Sequence, residues 1–144
     1  MTFDSGARAV AICAVLTVAA TTAAEASMPS ACSMVPLANV RTILGEPVII
    51  SKDEAPTVED GLEGTTCLYM VSGSAGMTVS VWLGRGPHIL ASHRAYANMP
   101  QRHGAEGMHG NTQAIVSVVT GSKAGLIYHD ALSAKVLAAV LAKL

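Results

Sequence analysis

Aromatic residues are scarce in this 144-residue chain and make up 3% of it. They comprise Phe3, Trp82 and three tyrosines, so the only phenylalanine is the third residue of the sequence. Aromatic side chains bury more apolar area each than most other residues. Their scarcity therefore predicts a modest core of Val, Leu, Ile and Met, and the length of the chain predicts a single domain.

Charged residues are few as well. They account for 13% of the chain, with nine Lys and Arg against ten Asp and Glu. Proteins that bind nucleic acids or anionic membrane surfaces usually carry an excess of clustered positive charge. The near balance of charge argues against a nucleic-acid partner and against electrostatic binding to membranes.

Motifs of common enzymes are mostly missing. The sequence has no G-x-S-x-G elbow, no P-loop, no H-E-x-x-H and no G-x-G-x-x-G. Gly73-Ser74-Ala75-Gly76 has the wrong spacing for the first, and Gly121-Ser122-Lys123 lacks the upstream glycine of the second. The acidic residues cluster in one segment, which is more typical of a solvated surface than of a catalytic pair. We therefore expect no catalytic activity and no cofactor.

The N-terminal segment is typical of a secretory signal peptide. Residues 9–24 carry no charge, and Ala24-Glu25-Ala26 is an A-x-A cleavage site. The uncharged run is rich in Ala and Thr and shorter than the roughly 20 apolar residues of a transmembrane helix. We predict a cleavable signal at 1–26 and a single mature domain at 27–144, located in the periplasm or secreted, with no membrane span after cleavage.

Two cysteines, Cys32 and Cys67, remain after cleavage. An even number of cysteines in an exported domain indicates one disulfide, here closing a loop of about 36 residues and stabilising the fold by roughly 3–4 kcal/mol. A redox or metal-binding pair is the alternative, although neither cysteine belongs to a C-x-x-C motif. A lipid anchor on Cys32 is not expected, because Pro29-Ser30-Ala31 lacks the Leu-like residue of a lipidation site.

Apolar spacing predicts three helices. The first covers 36–45 with Gly45 as its terminating residue, the second covers 88–99 and ends before Pro100, and the third is capped by Asp130 and runs to the C-terminus. The predicted apolar stripes of the second and third helices are Ile89, His93, Tyr96 and Ala97, and Leu132, Val136, Ala139 and Val140.

Five strands are predicted from β-branched and alternating apolar residues, with acidic and glycine-rich loops at 52–64 and 101–111. Short connections favour antiparallel pairing. The predicted fold is therefore α+β: a twisted antiparallel sheet of about five strands with helices packed mainly on one face. The strands cover 48–50, 65–72, 77–83, 112–120 and 124–129.

Charge is distributed unevenly along the mature domain. Residues 46–63 hold six acids against one Lys, whereas residues 85–109 are rich in Arg and His and contain one acid, Glu106. The second segment is a candidate surface for an anionic partner, with affinity rising as pH falls and His is protonated. Ordinary surface charge is the alternative. The candidate partner-binding residues are Arg85, Arg94, Arg102, His103 and His109.

A metal site is a further hypothesis. Imidazole and thioether groups are ligands that copper accepts, and His103, Met108 and His109 share one predicted loop. They are weak candidates for a metal site. His88 and His93 lie five positions apart on a predicted helix and so face different directions. We expect His93 to be a semi-buried, hydrogen-bonded core residue.

Three segments carry a resemblance: Ala31-Cys32-Ser33-Met34-Val35-Pro36, 40–47 and Cys67-Leu68-Tyr69. The chain resembles small exported bacterial cell-envelope proteins of unknown function that have a Cys, a short helix ending in Leu-Gly, a variable loop and a second Cys before an aromatic residue. Many of these are lipoproteins. The resemblance implies a bond between Cys32 and Cys67 that joins the first helix to the sheet, and it transfers no catalytic residues. The Leu-Gly-x-Pro element is also similar to outer-membrane assembly lipoproteins and to protein inhibitors of β-lactamases, an analogy only.

These observations favour a small, exported, non-catalytic binding or accessory protein of the bacterial envelope, with a protein or envelope component as its partner. The first alternative is a periplasmic enzyme inhibitor or immunity protein that inserts a loop into its target. The second is a His/Met copper-binding protein. The segments 53–63 and 101–111 are the predicted contact surfaces.

Overall fold

The computed structural model describes residues 27–72, 76–122 and 125–144. The predicted signal peptide lies outside the described residues. The elements are α1 (Ala31–Met34), α2 (Leu37–Leu44), β1 (Val48–Asp53), β2 (Thr57–Glu59), β3 (Leu62–Val71), β4 (Thr78–Arg85), α3 (Ile89–Ala97), β5 (Ala105–His109), β6 (Thr112–Ser122), β7 (Gly125–Tyr128) and α4 (Asp130–Leu141).

Seven strands of the described chain form one antiparallel sheet in the order β1-β3-β4-β6-β5. Each outer position is shared by two short strands, because β2 also pairs with β3 and β7 also pairs with β6. Short connections between consecutive strands account for the antiparallel pairing of β2 with β3, β3 with β4, β5 with β6 and β6 with β7, as expected. The predicted α+β class is therefore confirmed.

One face of the sheet, called the core face, packs against α1, α2 and α4. Alternation along the strands produces it, since Cys67, Val81 and Val116 form one cross-strand row and are fully buried. Valine dominates the buried core, and Tyr69 adds an aromatic ring that the composition did not lead us to expect there. The other face, called the open face, carries α3 over β5 and β6.

The disulfide between Cys32 and Cys67 is present and confirms the predicted pairing. It ties α1 to the core face of β3 with a Cα–Cα distance of 5.0 Å. Two hydrogen bonds support the same junction: Thr65 Oγ1 accepts the amide of Ala31 at 3.1 Å, and the Tyr69 hydroxyl donates to the Val35 carbonyl at 2.6 Å.

Three segments differ from their predictions. The segment before the first predicted helix, for which no element was predicted, contains α1, and the predicted loops 52–64 and 101–111 contain β2 and β5. The two strands lack a clear apolar alternation. Their backbone hydrogen bonds are formed with β3 and β6, so the residues of β2 and β5 alone carry no signal of them. Local sequence therefore could not reveal them.

The last helix also differs in detail. His129 rather than Asp130 occupies the N-cap position, and the Asp130 carboxylate instead accepts the amide of Gly104 at 2.6 Å. This contact fastens the start of α4 to the chain that leads into β5. Val136 and Val140 are buried as predicted, whereas the other two predicted positions are partly exposed, and Ser133 and Leu137 are buried in their place.

No helix in the described ranges is long and apolar enough to cross a membrane.

Candidate binding site

Trp82 on β4 lies near the middle of the open face. Cross-strand pairing places it in one row with Thr66 of β3 and Ile115 of β6, and Ile115 pairs in turn with Glu106 of β5. Side chains in one row point to the same side of the sheet. An aromatic ring, an aliphatic side chain, a hydroxyl and a carboxylate are therefore aligned across four strands.

Two facing glycines make room for the indole. Gly64 and Gly84 pair across β3 and β4 in the row next to Trp82. A Cβ on Gly84 would overlap the six-membered ring of Trp82, and a Cβ on Gly64 would lie 3.5 Å from its Nε1. The ring therefore lies across both glycines, in a space that any larger residue at position 84 would fill.

An acidic cavity of about 530 Å³ opens on one side of Trp82. The ring forms one wall, and residues 54–59 with the start of β3 form the other. Two carboxylates, two hydroxyls and an apolar side chain are among the groups that line it. They belong to Glu54, Glu59, Thr57, Thr66 and Leu62.

The two carboxylates of this cavity differ in their contacts. Glu54 forms an ion pair with Lys52, and hydrogen bonds from Lys52 and then Thr66 lower the pKa of Glu54, which keeps it ionised at neutral pH. The side chain of Glu59 is exposed and has no hydrogen-bond or ion-pair partner among residues 27–72, 76–122 and 125–144. Glu59 is therefore available to a ligand, whereas Glu54 is already paired with Lys52.

An apolar groove of about 360 Å³ lies on the other side of Trp82, between α3 and the sheet. Tyr96 and Met99 form its outer wall, and Ile115 forms part of its floor. Burial raises the pKa of Tyr96, whose hydroxyl donates to the carbonyl of His103 at 2.8 Å. That bond links the last turn of α3 to the segment before β5.

Glu106 is buried under α3, with 2% of its side chain exposed. His93 Nδ1 contacts its Oε1, Gln113 Nε2 donates to the same oxygen at 3.5 Å, and Arg102 lies 4.0 Å from its Oε2. The half-buried position predicted for His93 is found, whereas the predicted hydrogen bond is not: among the described residues its Nδ1 contacts the Glu106 carboxylate without forming a hydrogen bond. These contacts hold α3 on the open face, because they compensate the carboxylate of Glu106, which would otherwise be costly to bury.

The five predicted partner-binding residues do not form one cluster. Arg85 forms an ion pair of 2.6 Å with Glu63. The pKa of Glu63 is lowered mainly by the hydrogen bond from the Met28 amide and, to a smaller extent, by Arg85. Arg85 and His109 both pair with Thr112 at one end of the sheet. The others lie elsewhere along α3 and β5: Arg94 exposed on the helix, Arg102 beside the buried carboxylate, and His103 at the opposite end of β5.

The weak metal candidates do not converge: His103 precedes β5, whereas Met108 and His109 are its last two residues. His103 stacks on the ring of Tyr128 with 4.1 Å between ring centroids, and its Nδ1 lies 3.9 Å from Asp130. His109 is at the far end of the strand, so an extended chain puts the two histidines roughly 20 Å apart. Among the described residues, no group of three or more His, Cys, Asp or Glu side chains is placed to hold a metal ion.

Trp82 is not among the site residues predicted from the sequence. A signal was present, because the only tryptophan lies on the polar side of an alternating strand, between Ser80 and Gly84. A large aromatic side chain at such a position is either covered by another element or available to a ligand. The carboxylates beside it come from the segment 53–63, which was predicted as a contact surface.

Comparison with known proteins finds no matching family model, no similar curated protein and no similar solved structure.

Proposed function

We propose that this chain is a small, exported, non-catalytic binding protein of the bacterial envelope, and that it binds a protein partner through the open face of its sheet. The observation that carries the proposal is the unequal covering of the sheet. Three of the helices described here pack on the core face, whereas the open face retains two cavities around Trp82. Export is supported by the predicted signal peptide and by the disulfide.

The open face has the composition of a protein-binding surface. Apolar side chains remain exposed on it at Ile49, Met70, Met99 and Tyr128, between 38% and 54% of each. A contiguous exposed apolar surface with a polar border is typical of sites that bind another protein. Glu54 and Glu59 line the cavity beside Trp82 on the same face, which favours a partner whose contact surface is basic.

Several potentially reactive groups of the described chain are engaged in structural contacts. Both cysteines are bonded to each other. The hydroxyl of Ser133 donates to the carbonyl of His129 and accepts the amide of Val118. Thr120 Oγ1 and His129 Nε2 are 2.9 Å apart, but the described residues place no carboxylate on that imidazole to orient it as a base. These contacts favour a binding role over catalysis.

Site-specific photocrosslinking tests the proposal. A photoreactive amino acid at Met70, on the open face, should cross-link to one discrete protein in intact envelopes. The same amino acid at Lys135, on the outer side of α4, is the matched control and should not give that product. The same product at both positions, or no product at either, would contradict the proposal.

An inhibitor or immunity protein is the second candidate, and the β2–β3 hairpin favours it. Its tip has a positive φ at both Asp60 and Gly61, which matches the tight two-residue turn of a rigid hairpin. Val58 beside the tip is 72% exposed. If the cross-linked partner is an enzyme whose activity falls in proportion to added protein, and if Val58→Lys abolishes that inhibition, the second candidate replaces the first.

A further inference from the structure

We propose that the acidic cavity beside Trp82 binds one cationic side chain, the guanidinium of an Arg or the ammonium of a Lys, presented by the protein partner. The inference rests on the proposed function for the source of the cation. It adds the chemistry of the contact and assigns the cavity residues Trp82, Glu54 and Glu59 to it.

The charge of the cavity selects a cation. Glu54 and Glu59 line it, and no Lys or Arg among the described residues does so. Their attraction for a cation is modest while the cavity is open to water and strengthens when a partner excludes the solvent. A neutral or anionic group would leave the Glu59 carboxylate without compensation when the surface is covered, since only Glu54 has Lys52 beside it.

Trp82 supplies the second element of a cation site. The indole ring is the strongest neutral acceptor of a cation in proteins, through the negative potential of its face. Gly64 and Gly84 place no side chain against the ring, and Trp82 lines the cavity. An aromatic wall opposite carboxylates can hold the planar guanidinium of Arg by stacking and by ionic hydrogen bonds together.

Lys52 shows that the carboxylate of Glu54 can pair with a cation. Its ammonium forms an ion pair with Glu54 although 57% of its side chain is exposed, so a partner can displace it at small cost. The lysine thus occupies one carboxylate in the free protein. Removing it should strengthen the binding of an external cation.

The fluorescence of Trp82 provides a direct test, because it is the only tryptophan of the chain. The purified protein is titrated with N-acetyl-argininamide at low ionic strength, and in parallel with N-acetyl-citrullinamide, its neutral isostere. We expect a saturable change in the millimolar range with the arginine derivative, lost in 0.5 M salt, and binding of the citrulline derivative weaker by about tenfold. No saturable change, or an equal response to both probes, would overturn the proposal.

Substitutions locate the effect. Glu59→Gln should weaken binding about three- to fivefold, and Lys52→Gln should strengthen it about twofold. Glu46→Gln removes an exposed acid outside this cavity and is the control that should leave binding unchanged. Circular dichroism and melting curves verify that each variant is folded. Wild-type affinity in Glu59→Gln would assign the response to another site and refute the inference.

The two proposals fail in different ways. Cross-linking at Met70 without probe binding retains the partner and rejects the cation site. Probe binding without cross-linking retains the cation site and rejects the open face as the surface that binds a protein.

Discussion

At the scale of single residues, the hydrogen bonds of buried polar groups explain why particular residue types occupy particular positions. Tyr69 is fully buried and donates its hydroxyl to Val35 at 2.6 Å, so the ring joins β3 to the end of α1. Burial raises the pKa of Tyr69 to about 12, from an ordinary 10.0. The folded state therefore holds the phenolic proton more tightly than the unfolded chain does.

The first prediction follows from this linkage. Because the folded pKa is the higher one, Tyr69 contributes stability that is complete below pH 10.0 and is lost as pH rises toward about 12. Tyr69→Phe should flatten the dependence of stability on pH in that window. It should also lower stability by about 1–2 kcal/mol at pH 7, because the carbonyl of Val35 loses its donor. Urea unfolding at several pH values measures both effects; parallel pH profiles for the two proteins would contradict the linkage.

Glu106 and His93 form a second buried polar contact, under α3. Removing His93 leaves a carboxylate that is 2% exposed without the imidazole that contacts it. We expect His93→Ala to destabilise the fold by about 1–3 kcal/mol in urea unfolding. The loss should be smaller in a Glu106→Gln background.

Arg94 is on the same helix and exposed, so Arg94→Ala is the control and should change stability by less than about 0.5 kcal/mol. If His93→Ala behaves like Arg94→Ala, the contact with Glu106 does not stabilise the docking of α3.

At the scale of elements, short segments depend on attachments to the sheet. α1 has four residues, which is too short for a helix to be stable in isolation. Its attachments are the disulfide of Cys32 with Cys67 and the hydrogen bonds at Thr65 and Tyr69. The element exists because tertiary contacts hold it.

The corresponding prediction concerns the disulfide. Replacing Cys32 and Cys67 together with Ala should destabilise the fold by about 3–4 kcal/mol, since the unfolded chain regains the freedom of the closed loop. Thermal unfolding measures the loss, and wild-type protein reduced by dithiothreitol should show a comparable one. A loss below about 1 kcal/mol in both would show that the hydrogen bonds alone secure α1.

At the scale of the whole molecule, the sheet has a protected centre and two exposed edges. β3, β4 and β6 each have neighbours on both edges, whereas β7 has one neighbour and all four of its residues are exposed. Backbone hydrogen bonds in such a centre open only with global unfolding, and those at an edge open locally. This arrangement predicts a gradient of stability across the sheet.

Amide hydrogen exchange checks the gradient. The central residues of β4, such as Val81, should exchange at least about 100-fold more slowly than residues of β7, such as Ile127. The amides of β3 and β6 that pair with β4 should resemble Val81. Equal protection of Val81 and Ile127 would mean that the edge strand is part of one cooperative unit, contrary to the prediction.

Much of the framework was predictable because its signals are local. Val79, Val81 and Leu83 alternate along β4 and are buried, and Gly45 adopts a positive φ of 71° at the end of α2 as its position indicated. The cysteine pair was predictable from its number and its setting. Strands β2 and β5 were missed, since their stability comes from pairing with β3 and β6 and leaves no periodic trace in short polar segments.

By itself, the amino-acid sequence determined the α+β class, the disulfide and the main helices, because periodicity, turn residues and cysteine number act between near neighbours or by simple count. Only the tertiary structure decided which residues meet at the site. Trp82 lies beside Glu54 and Glu59 because β3 pairs with both β2 and β4, and Arg85 is drawn to Glu63 for the same reason. The separation of acidic and basic segments along the sequence therefore does not persist in space, where long-range strand pairing sets the neighbours.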